Sequence, residues 1–214
     1  MIPNTYNPEK GRAYYFTEHG CQVRKLPKYD IKGSSNYDDP PQDPDGRCSK
    51  MYPKVSYGGF GYVLLWFCPI HGHCFGFHLI SGGEGRKDPF HSLLKFLPNP
   101  PDEIFYDFAC GLNEYSLNRE PHFFFKTRFW HDFFHGFSHK CPICYRYHRV
   151  TGLEIINSEI CEQFNAFIQS IKYTGSHLSQ SHFCFYMQFF IWIWNEKKTK
   201  GFADIVNQTI SGCQ

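Results

Sequence analysis

No stretch of this chain is long and apolar enough to cross a bilayer as a helix. The longest apolar run, residues 183–194, is interrupted by Gln188 and falls short of the roughly 20 residues a span needs. It reads instead as a helix buried on most sides, and a membrane partner is not expected. A strong charge of one sign is also missing, since 22 Lys and Arg stand against 20 Asp and Glu for a formal net charge of +2. The sequence-wide basic signature of many nucleic-acid-binding domains is therefore excluded, and such a surface must come from local clustering. The best cluster is Lys126, Arg128, Lys140, Arg146 and Arg149. The opening residues Met1-Ile-Pro-Asn-Thr-Tyr-Asn-Pro lack the charged head and apolar core of a secretory signal. With thiols kept reduced, ten Cys mixed closely with twelve His point to zinc rather than to disulfides. No internal repeat is visible.

What the chain does have is aromatic residues, 19% of the total with 23 Phe, in 214 residues. That length suits one domain with a full core and insertions. Residues 1–60 read as an irregular segment with strands expected at 13–16 and around 21–26. Residues 33–46, rich in Gly, Pro, Asp and Ser, form a surface loop whose prolines break any cation-loop spacing of its acids. Two β-prone runs, 62–67 and 74–80, flank Pro69-Ile-His-Gly-His73 and predict an antiparallel pair around a turn. A short helix follows with Pro89 at its first position and Phe90, Leu93, Leu94 and Leu97 at helical spacing, stopped by Pro98 and Pro100. The pattern then predicts a strand over 104–106, a helix over 109–115, a strand over 123–129 and a helix capped by Asn157 or Ser158 that ends at Gly175. An aromatic helix over 179–196 packs behind, with its rings in the core, and 197–214 is a tail. The order of strands and helices is mixed α/β.

Three constellations carry chemistry. His135-x3-His139-x-Cys141-x2-Cys144 places four zinc ligands within ten residues, a donor set that matches the tetrahedral N and S coordination zinc favours. Cys68-x2-His71-x-His73-Cys74 is a second cluster at the tip of the strand pair. Asp107 and Asp132 each end an apolar strand, where carboxylates can face a divalent cation, and Glu162 lies in the first turns of its helix. Paired acids of this kind hold Mg²⁺ for phosphodiester cleavage, although an Asp after a strand also serves as a turn residue.

The series Cys68-Pro-Ile-His71-Gly72, Gly83-Glu84-Gly-Arg86, Tyr106-Asp107-Phe-Ala-Cys110, Asp132-Phe-Phe-His135-x3-His139-x-Cys141 and Glu162-Gln163-x-Asn165 resembles the transposases of the Kyakuja, Dileera and Zisupton group. The resemblance spans about residues 48–196. It implies an RNase H-like mixed sheet flanked by helices, with zinc-stapled insertions, over 61–196. It implies further that Asp107 is the second catalytic acid and Glu162 the last, with catalytic Mg²⁺ or Mn²⁺. His135, His139 and Cys141, with Cys68 and His71, match the family's Cys and His series and imply structural Zn²⁺; Cys144 is an extra. The family's first Asp should end an early strand, yet residues 13–16 run into Thr17-Glu18. Glu18 substitutes for it, or the acid lies upstream of this chain, or it has been lost. The expected function is DNA strand cleavage and transfer in the nucleus, with Arg119, Lys126 and Arg128 meeting phosphates and the chain able to act as a homo-oligomer. The alternative is a non-catalytic zinc module that binds nucleic acid or protein.

Overall fold

The structure, a computed structural model, describes residues 13–15, 62–80, 85–137, 139–141, 143–153, 156–175 and 177–211. The strand expected around 21–26, the loop at 33–46, Glu18 and the Gly83-Glu84 pair lie outside the described residues. The chain is mixed α/β with two small sheets. β1 (Ala13–Tyr15), β2 (Tyr62–Phe67) and β3 (Cys74–Ile80) form one sheet in the order β1-β3-β2. β4 (Glu103–Phe105) and β5 (Arg128–Trp130) form the other. Among the described residues β4 pairs with β5 alone.

The chain separates into two compact units, one comprising 1–64 and 78–154, the other 65–77 and 155–214. The first is built around a β-α-β crossover. β4 and β5 are parallel, with Glu103 opposite Arg128, Ile104 opposite Phe129 and Phe105 opposite Trp130. Parallel neighbours need a crossover connection, supplied here by α2 (Ala109–Arg119) and α3 (Pro121–Phe124). The strand pair is fixed at its edge because Glu103 accepts hydrogen bonds from both Arg128 and Trp130 Nε1. α1 (Lys87–Phe96) adds Phe90, Leu93 and Leu94 to a core shared with Ile104, Leu112, Phe124 and Phe129, all 4% exposed or less. Phe90 meets Tyr115 edge-on at 5.3 Å and Phe124 at 5.7 Å.

The strand expected over 123–129 is a correction: its first half is helical. Pro121 occupies the first helical position of α3, where its fixed φ and missing N–H cost nothing. Phe124 is then wholly buried while Phe125 is 68% exposed, a helical turn rather than a strand entering β5.

In the second unit, α4 (Ile160–Phe167) and α5 (Gln169–Gly175) replace the one helix expected, with the break at Ile168. No side chain caps α4; Asn157 Oδ1 accepts instead from Glu159 N–H at 3.1 Å. α6 runs Gln180–Ser211, so the tail expected from 197 continues the helix. Its inner face is clasped to the turn at 68–73. Trp194 Nε1 donates to Gly72 carbonyl at 2.7 Å, and the Asn195 amide pairs with both N–H and carbonyl of Cys74 at 2.8 Å. Gly72 adopts φ +74°, a left-handed conformation glycine takes without steric cost. Trp194 packs edge-on against Phe164 at 5.4 Å.

The aromatic helix is core along one side only. Cys184, Met187, Ile191 and Trp194 are buried, whereas Phe185, Tyr186, Phe189 and Trp192 are 40–66% exposed. A straight helix on one packing layer hides a stripe, not its whole circumference. No described helix is long and apolar enough to cross a membrane.

Candidate metal centre

The carboxyl ends of parallel strands are where α/β folds gather their ligands, and here Asp107 follows β4 while His131 and Asp132 follow β5. Cys110 enters from the first turn of α2, and His139 and Cys141 come back on the segment after β5. Cys110, His131, His139 and Cys141 bring one donor atom each to within 4.8 Å of one another. His131 Nε2 lies 3.1 Å from Cys141 Sγ, and Cys110 Sγ lies 3.6 Å from His139 Nδ1. A zinc tetrahedron with about 2.0–2.1 Å to nitrogen and about 2.3 Å to sulfur has edges of about 3.3–3.8 Å. Two Cys and two His at this separation can bind a metal such as zinc.

The surroundings orient the ligands. His131 is 1% exposed, and its Nδ1–H donates to the Asp107 carbonyl at 3.0 Å, which leaves Nε2 free of a proton and aimed at the centre. Burial pushes its pKa down to about 4, against the opposing pull of Asp132, so the ring is neutral as a ligand must be. The two imidazoles lie 3.9 Å apart between ring centres. Cys110 stands in the first turn of α2. Gly111 beside it lets Phe108 lie close, since a Cβ there would meet the ring at 2.5 Å.

Of the ligands read from the sequence, the structure gathers His139 and Cys141 and leaves His135 and Cys144 outside the group. His135 is turned to Asp132, which accepts from its N–H and pairs with Nδ1, both at 2.7 Å. Cys144 is exposed on the short 3₁₀ turn Ile143–Tyr145. Cys68 and His71 belong to the second unit, 3.2 Å apart across their turn, and no further metal-ligating group joins them among the described residues. Cys74 bonds to the Gly76 carbonyl at 3.4 Å, and burial raises its pKa to about 12, an inert thiol. Cys110 and His131 are the ligands that spacing alone did not single out. Their signal was positional, a Cys opening a helix and a His closing a buried strand.

The remaining site residues are placed as follows. Asp107 is half-buried after β4, and Glu162 is exposed in the first turn of α4, in the other unit. Arg119 lies with its guanidinium 3.5 Å from the Tyr115 ring centre. Lys126 is exposed and sits 5.3 Å from the Phe125 ring, and Arg128 is paired with Glu103. No family model, curated protein or solved structure matches this chain.

Proposed function

We propose that this chain is a zinc-stapled, RNase H-like core of a DNA transposase of the Kyakuja, Dileera and Zisupton type. It acts on DNA by metal-assisted phosphoryl transfer. The observation that supports this reading is convergence: Cys110 of the Tyr-Asp-x-Ala-Cys motif and His139 and Cys141 of the His/Cys motif meet at one centre. The backbone of Asp107 is tied to that centre through His131. In this reading zinc is structural, and Asp107 carries the family's second acid, with Glu162 carried over by the same resemblance as the last. Mg²⁺ or Mn²⁺ supplies charge neutralisation for the attacked phosphate and its leaving oxygen. Both oxygens of the other strand-end acid, Asp132, are engaged by His135.

That engagement favours the second reading, a non-catalytic zinc module that binds nucleic acid or protein. The two separate in one experiment. Zinc-loaded protein is incubated with supercoiled and hairpin-ended DNA in Mg²⁺ or Mn²⁺, alongside Asp107→Asn. Metal-dependent nicking that Asp107→Asn abolishes at unchanged zinc content is expected. DNA binding without nicking by the unaltered protein would leave only the module.

A further inference from the structure

We propose that Phe133, Phe134, Phe137 and His148 form a stacking platform for the bases of single-stranded DNA. The proposal rests on the DNA reading above and adds the strand state and the contacts. Phe133, Phe134 and Phe137 are 41%, 66% and 60% exposed, a concentration of open aromatic surface that soluble chains rarely leave without a use. The rings are organised rather than scattered. Phe133 meets Phe134, Phe137 and His148 edge-on at 5.9, 5.4 and 5.9 Å, while Phe137 and His148 stack at 5.7 Å. This arrangement fixes the ring planes and leaves Phe134 and Phe137 the most open to a partner.

The loop that carries the three Phe rings is short and held at both ends, and His148 joins them from the 3₁₀ turn Tyr147–Arg149. His131 lies before it and His139 and Cys141 after it, all in the metal centre, and Gly136 is buried beneath with its Cβ position 3.3 Å from His131. Charge selects among possible occupants. From Phe133 to Val150 there is no Asp or Glu, and Lys140, Arg146 and Arg149 are basic. Lys140 is exposed and Arg146 half-buried. Exposed rings in a neutral setting would suit an apolar protein segment. Flat apolar faces on a stretch that carries Lys140 and Arg146, with the neighbouring carboxylate of Asp132 already held by His135, suit a ligand that is itself flat, apolar and polyanionic. Single-stranded nucleic acid is such a ligand, whereas in a duplex the base faces are already stacked on one another.

The test uses the full zinc-loaded chain and fluorescence anisotropy with labelled twelve-nucleotide oligo(dT), an abasic deoxyribose phosphate oligomer of the same length, and a duplex. Oligo(dT) should bind at least ten-fold more tightly than the abasic oligomer. Phe134→Ala and Phe137→Ala should each weaken oligo(dT) by about ten-fold and leave the abasic oligomer unchanged. Phe134→Leu, which keeps apolar bulk without a flat face, should behave like Phe134→Ala. Lys140→Gln should weaken both oligomers alike and flatten the salt dependence. Zinc content and circular dichroism confirm that each variant is folded. Equal affinity for oligo(dT) and abasic oligomer overturns the platform, as do alanine variants that bind like the unaltered chain. Ring-dependent binding to anionic vesicles in place of oligo(dT) also overturns it. Loss of the platform with Asp107-dependent nicking intact condemns this surface alone. Ring-dependent oligo(dT) binding without nicking condemns the catalytic reading alone.

Discussion

Cys110 and Cys144 set the geometry of the metal centre against the spacing of the sequence. Cys141-x2-Cys144 is the tighter chelate on paper, yet Cys144 is exposed away from the group and Cys110 is within it. Cys110→Ser and Cys141→Ser should each lose zinc and destabilise the first unit, because a structural metal binds only the folded ligand set. Cys144→Ser and His135→Ala should keep about one zinc per chain by metal analysis. Gly111→Ala gains helix propensity of ~1 kcal/mol but drives a methyl against Phe108, which is 2% exposed and has nowhere to swing. The clash should win by ~1–2 kcal/mol in urea unfolding. His78 gives a pH signature apart from the metal. Its pKa is lowered to about 4, first by burial and then by Lys95 and His91 of α1. The folded state then takes up its proton later than the unfolded state at 6.5. The stabilisation is full above pH 6.5 and is lost as pH falls toward 4. His78→Gln should flatten that part of the stability profile, measured by thermal unfolding across pH.

Among the elements, those with a strong local pattern were the legible ones. β2 and β3 occupy the expected residues because β-prone runs bracket a turn that Gly72 can make. β4 and α2 begin within a residue of expectation for the same local reasons. α3 was not legible as a helix, since an apolar run of Phe fits either period and only Pro121 signals which. The metal ligands were half legible: His139 and Cys141 stand close in sequence, whereas Cys110 reaches them only after the crossover folds back. α6 was legible as a helix but not in its facing, because a chain with rings all round cannot say which stripe a neighbour will cover. Trp194→Ala should therefore cost ~3–5 kcal/mol and Trp192→Ser under ~0.5 kcal/mol, read from urea denaturation. Asn195→Ala leaves the Cys74 N–H and carbonyl without their side-chain partner and should cost ~2 kcal/mol in the same measurement.

For the molecule as a whole, near-neutral overall charge sits beside an acid-free stretch from Phe133 to Val150. Binding of a single strand should accordingly show a shallow salt dependence, about −2 in log–log slope for three cations. A steeper slope would mean that further basic residues take part. The four metal ligands have one more consequence, which concerns birth rather than binding. Cys110 lies in the crossover and His131, His139 and Cys141 follow it, all before the unit that contains them ends at Glu154. Synthesis runs from the N-terminus, so all four residues are made before α6, which begins at Gln180. The four residues that can bind a metal are thus all present on the nascent chain before α6 is synthesised.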